Sequence, residues 1–307
     1  MRKRAGLLLA LGAAVLGATA QAAAFKASAV PASALWVCHL DAAGMKQSAA
    51  GRRMLEQRAL TESLPIARFA ERFGLDPVRD MRGLTLYTVS TGRQDAVAVI
   101  DPEPAAAVRL KAWREKAGWK AQAVDGHSVY SRLAGKETLF QSVAPNGLIV
   151  TAMTLAHVQR GLAVLDGRTP ALESKTMPAL VDRKGGAGVL LLVAARTPNA
   201  EMIQMLPQLT LLKTADSLCL AVGEEEGLVT GGVTVSAADE AGAVRLQNAL
   251  SALIEFSRAM GSGQGPDPLR SISVTRVGGK VRADGRWTLD ELMGILGMEG
   301  VRRTVHN

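Results

Sequence analysis

Apolar and polar positions alternate in short runs along most of this chain, and the runs are separated by turn signals. "ALWVCHLD" from Ala34 reads as a strand. "GLTLYTVS" (Gly83–Ser90) and "QDAVAVID" (Gln94–Asp101) read as two strands of a hairpin. "WKAQAV" and "HSVYSRL" flank Asp125-Gly126, and "ETLFQSVA" and "LIVTAM" flank Asn146-Gly147; both dipeptides favour a tight type I′ turn. "VLLLVAAR" (Val189–Arg196) is apolar on both faces, as a central strand is. "SLCLAVG" and "LVTGGVTVSA" make another hairpin, and "SISVTRV" and "KVRADGRW" flank Gly278-Gly279.

Between these runs the period changes to that of helices. Gly44–Gly74 reads as two helices broken near Ser63-Leu64-Pro65. "DPEPAAAVRLKAWREKAG" reads as a helix capped by Asp101 with Pro102 in its first position. Leu155, Val158, Leu162 and Leu165 form one apolar stripe. "NAEMIQMLPQLTLLK" is a helix interrupted at Pro207. A long helix follows Ser236 and Asp239, and a closing helix follows the capping box of Thr288 and Glu291.

The order of elements repeats. Shifting the chain by 136 residues without gaps lays Ala96–Leu110 on Gly232–Leu246, with seven of fifteen positions identical, Ala107–Leu110 and Ala243–Leu246 among them. The shared residues suit a strand and its covering helix, with Ala and Val on the buried stripe. The expected fold is α+β, with two related β-α-β-β-α-β-β halves and antiparallel sheets covered by helices. The halves span residues 34–167 and 188–307, joined by a polar linker at 168–187. The alternative is one α+β domain that uses a similar hairpin-helix unit twice.

Residues 1–22 have a different character. "MRKR" is a positive start, fifteen mostly apolar residues follow, and Ala20-Gln21-Ala22 is a small-x-small cleavage site. That order is a secretory signal peptide. The apolar run is shorter than the roughly 20 residues of a spanning helix. Retention as an anchor is the other reading. A spacer, 23–33, leads into the first strand. The expected location is therefore the periplasm or outside the cell, with no transmembrane segment once the leader is cut near Ala22. The net charge is +8, and Arg2, Lys3 and Arg4 carry three of those charges. So dilute a charge argues against nucleic acid as a partner.

Two cysteines, Cys38 and Cys219, lie in apolar strand-like runs. They either pair in an oxidising compartment or serve as small core residues. There is no C-x-x-C, no H-E-x-x-H and no G-x-S-x-G. The glycine-rich Gly261–Pro268 follows a helix and precedes a strand, the reverse of a phosphate loop. No cofactor and no enzymatic activity are expected. Two candidate sites remain. His39 and Asp41, two apart on a strand, share a face and would suit metal or acid/base chemistry. Arg109 and Arg245 occupy equivalent helix positions and would suit a paired anion site, or would be surface arginines. Arg52, Arg53, Arg58, Arg68 and Arg72 offer contact with an acidic surface, unless i,i+4 pairs occupy them.

The stretch Phe73–Ser90 resembles a loose set of uncharacterised secreted bacterial α+β proteins. The resemblance rests on Phe73, Gly74, Asp76, Pro77, Asp80 and the Leu84–Tyr87 strand. It implies an exported α+β fold and no known activity. The function expected is that of a non-enzymatic binding or assembly factor in the cell envelope, its partner an unknown protein or envelope component. The alternative is a carrier that holds a small apolar or lipid-like ligand between sheet and helices.

Overall fold

All twelve alternating runs form strands. The computed structural model describes residues 23–56, 66–90, 95–173, 177, 180, 189–196, 215–260 and 270–295. The strands are β1 (Trp36–Leu40), β2 (Met81–Thr88), β3 (Ala96–Pro102), β4 (Lys120–Val124), β5 (His127–Ala134), β6 (Glu137–Val143), β7 (Ile149–Ala152), β8 (Val189–Arg196), β9 (Ala215–Glu225), β10 (Leu228–Ala237), β11 (Ser273–Val277) and β12 (Lys280–Trp287). The helices are α1 (Ala42–Gln47), α2 (Ala49–Glu56), α3 (Ile66–Phe73), α4 (Pro104–Lys116), α5 (Leu155–Leu165), α6 (Glu240–Met260) and α7 (Leu289–Ile295). The leader, most of the linker, the Pro207 helix and Gly261–Pro268 lie outside the described residues.

The strands form one antiparallel sheet, ordered β11-β12-β10-β9-β8-β1-β2-β3-β7-β6-β5-β4. This corrects the expectation of a separate sheet in each half. The seam is β1 against β8, from Trp36↔Ala195 to Leu40↔Leu191. Each of these strands is paired along both edges, β1 with β2 and β8, and β8 with β1 and β9. Two strands run outward on either side of the seam, to β3 and to β10. Each then leads into a helix, α4 or α6. The chain returns so that β7 pairs with β3 and β12 pairs with β10. The arm containing β3 carries the extra hairpin, β4–β5, at its rim.

Helices cover both faces. On one face α4 packs Ala106 and Leu110 over Ile100 and Ile149, and α6 packs Ala243 and Leu246 over Val235 and Val281. The opposite face packs Val37, Tyr87, Val97, Val99, Val150, Leu192 and Ala194 against Val158 and Leu162 of α5 and against Val30 and Ala34. Gly161 lets α5 approach closely, because a Cβ there would lie 2.7 Å from Val150 Cγ1.

Several local expectations change. In the repeated tetrapeptide the leucines are buried, whereas Val108 is 74% and Val244 38% exposed. Leu110 follows Ala106 by four residues on the buried stripe, and Val108 falls half a turn away. Asp101 and Pro102 stay in β3, since the ladder continues to Met81↔Pro102, and Glu103 becomes the first residue before α4. Asp239, not Ser236, caps α6 through Gly242 N. The Thr288–Glu291 box forms, with Glu291 N to Thr288 Oγ1 at 3.2 Å. Asp125 and Gly126 both have positive φ, as a type I′ turn requires. At the second turn only Gly147 does, because Pro145 begins the turn and Gly147 N bonds to Ala144 O at 2.9 Å.

The cysteines are both free. Cys219 pairs with Ala194 and Ala194 with Val37, so Cys219 shares the face of Val37, not of Cys38. The two sulfurs are two strands apart, roughly 10 Å, on opposite faces, which rules out the disulfide.

Candidate functional site

His39 and Asp41 share one face, as their spacing implies, and both are buried. Their polar atoms converge on Ala23. Asp41 Oδ1 accepts from Ala23 N at 3.0 Å and from Gly44 N at 2.7 Å, the latter capping α1. His39 Nε2 lies 2.8 Å from the Ala23 carbonyl and Nδ1 lies 2.9 Å from Thr85 Oγ1. A carbonyl only accepts, so Nε2 carries the proton and Nδ1 accepts from the Thr85 hydroxyl. Thr85 sits directly across the ladder from His39. Gly83 makes room for this clamp, since a Cβ there would lie 3.0 Å from Ala23 Cβ and 3.4 Å from His39 Cε1.

The adjoining cavity is about 20 Å³, enough for one water. The pair therefore holds the chain's own backbone and leaves no room for a substrate beside it, contrary to the acid/base expectation. No group of three or more His, Cys, Asp or Glu side chains fit for a metal occurs among the described residues.

Burial pushes the His39 pKa down, so the ring is neutral in the folded protein. An unfolded histidine takes its proton near pH ~6.5. The unfolded state thus binds more protons as pH falls below that value, and the stability contributed by neutral His39 is lost as pH drops through the depressed folded value. Melting temperature is expected to fall between pH 7 and pH 5, and His39→Gln to flatten that slope. A variant that keeps the wild-type slope would show that another group causes it.

Arg109 and Arg245 are not brought together. They ride on helices over β3 and β10, five strand spacings or roughly 24 Å apart. Arg109 donates to Asp80, which also accepts from Arg79 Nε at 2.8 Å. Arg79 above all, with Arg109, holds the buried Asp80 carboxyl well below the usual carboxylate range. Arg245 is exposed. The arginine series is partly engaged within the fold: Arg72 pairs with Glu137 at 2.6 Å and Arg52 donates to the Gln47 carbonyl. Arg53 is half-buried. Arg58 and the side chain of Arg68 lie outside the described residues.

Sequence reasoning missed Arg114. It continues the buried stripe of Ala106 and Leu110 and is 5% exposed. Its Nε and Nη2 donate to Gln141 Oε1 at 2.9 and 2.7 Å, and its guanidinium lies 4.4 Å from the Tyr130 ring centre. Burial pushes its pKa down to about 10. The i, i+4, i+8 spacing from Ala106 was the available signal.

A larger cleft, about 410 Å³, opens beside the C-terminus of α5. It mixes Lys26, Ser28 and Asn146 with Leu148, Val164 and Leu165.

No family model matches the chain, and no curated protein matches it. Solved structures do match it. The fold is similar to that of TP0453 of Treponema pallidum. Its crystal forms I, III and IV align at 13%, 9% and 11% identity, each with a TM-score of 0.49 over 89% of this chain and 97% of that one. The likeness is one of fold.

The outer side of α6 carries two exposed large apolar side chains one turn apart. Leu253 is 45% and Phe256 64% exposed, one turn apart, with exposed Ala252 beside them. No helix among the described residues is long and apolar enough to cross a membrane.

Proposed function

We propose that this protein is exported and acts in the cell envelope as a non-enzymatic binding or assembly factor for a protein partner. The observation that carries this reading is the Leu253–Phe256 face of α6. A half-exposed leucine and a largely exposed phenylalanine on successive turns leave an apolar face in water, and phenylalanine is among the residues enriched at protein interfaces. The basic, apolar leader supports export. The corresponding courses of the two arms, strand for strand out to α4 and α6, support a scaffold of two related halves, 34–167 and 188–307.

The test is the pair Leu253→Asp and Phe256→Asp. Both side chains point to water, so melting is expected to stay within about 1 °C of the parent. The complex recovered from the envelope should be lost. A complex that survives both charges would overturn the reading. The carrier reading has one observation in its favour, the 410 Å³ cleft beside α5. A small apolar molecule retained in native mass spectrometry, and lost when Leu165→Asp charges the cleft, would favour it.

A further inference from the structure

We propose that cutting the leader after Ala22 creates an α-ammonium group at Ala23 that the buried Asp41 carboxylate receives, so that the processed chain is locked by its own N-terminus. The proposal rests on the export reading for its physiological setting.

Asp41 is 3% exposed. The donors to its carboxylate, Ala23 N and Gly44 N, are neutral backbone amides. No lysine, arginine or histidine among the described residues lies within ion-pair distance of it. Buried carboxylates are ordinarily matched by a positive charge. One of its donors belongs to the residue that follows Ala20-Gln21-Ala22, the small-x-small site. In the precursor that nitrogen is a neutral amide with one proton. After cleavage it is an ammonium, and the same 3.0 Å contact, already assisted by the carboxylate's charge, gains a charged donor and becomes an ion pair.

The surroundings favour a cation at this nitrogen. His39 beside it is neutral and holds the Ala23 carbonyl at 2.8 Å. Lys26, the nearest lysine in sequence, is drawn away to Asp101 at 3.0 Å. Gly83 leaves just enough space for the Ala23 methyl group, so the register is set on three sides: nitrogen, carbonyl and Cβ. A start one residue earlier or later would place the charge outside this clamp.

The experiment compares protein beginning at Ala23 with a free amine, the same protein acetylated on that amine, and protein with one glycine added before Ala23. Acetylation and the added glycine each remove the charge from the site without touching Asp41. Each is expected to lower the melting temperature by on the order of 5 °C. In Asp41→Asn, which keeps the α1 cap, the loss on acetylation should shrink to within about 1 °C. Equal melting of the free and blocked proteins would overturn the lock, as would an undiminished loss in Asp41→Asn. The mass of the protein recovered from the envelope is a separate measurement. A start other than Ala23 would refute the cleavage reading, while equal melting with a start at Ala23 would refute the lock alone.

Discussion

Replacing Gln141 with leucine is expected to cost about 3 kcal/mol of stability. Gln141 is fully buried, and its one amide oxygen takes both the Nε and the Nη2 of Arg114. Arg114 is itself buried, and no carboxylate among the described residues pairs with it. Removing the acceptor leaves two buried charged donors without it, and the Tyr130 ring over the guanidinium offsets only part of that loss. The loss should be read from urea unfolding, as a lower midpoint with an unchanged slope. Arg114→Met added to Gln141→Leu should recover most of it, because a buried polar pair replaced on both sides by apolar groups is close to neutral. A single variant that loses under about 1 kcal/mol would mean that water solvates the guanidinium.

Gly74→Ala is expected to be as costly, for a different reason. Gly74 ends α3 at φ +73°, where a side chain costs roughly 1–2 kcal/mol. An added Cβ would also lie 2.2 Å from Trp113 Cε3. Trp113 cannot easily yield. Trp119 tilts against it at 5.8 Å and the Arg132 guanidinium lies 5.0 Å from its ring centre. Overpacking adds about 1–3 kcal/mol, for a total near 3 kcal/mol. Gly118→Ala is the control. It has a similar φ, +70°, but nothing within 4 Å, so only the backbone cost of about 1 kcal/mol remains. Equal losses at both positions would show that the Trp113 contact carries no cost. This contact also gives the Phe73-Gly74 stretch a structural reason: the glycine lets a helix end beneath a tryptophan.

The strands were legible because their period of two is a local property. Their union into one sheet was not. β1 and β8 meet across more than 150 residues, and nothing in "LWVCHL" names "VLLLVAAR" as its partner. The clue was that Val189–Arg196 is apolar on both faces, as a central strand is. The match of Ala96–Leu110 with Gly232–Leu246 falls on β3–α4 and β10–α6, which hold corresponding places in the two arms. The faces of those helices were misjudged at Val108 and Val244, since the stripe is set by leucine four residues from a small residue. His39 and Asp41 were legible as a pair on one face. Their partner was not, because Ala23 takes part through backbone atoms that leave no mark on the sequence. The Leu253–Phe256 face escaped notice for the opposite reason. An apolar stripe on a helix looks the same whether it faces the core or water.

The claim that α6 presents a docking face is tested most directly by a photo-crosslinking residue placed at Phe256 in the envelope. Leu133 at the far rim is the comparison, equally open to solvent at 69% exposure. One adduct of discrete mass is expected from Phe256, absent from Leu133 and abolished by Leu253→Asp. The same adduct from both positions, or none from Phe256, would contradict that claim.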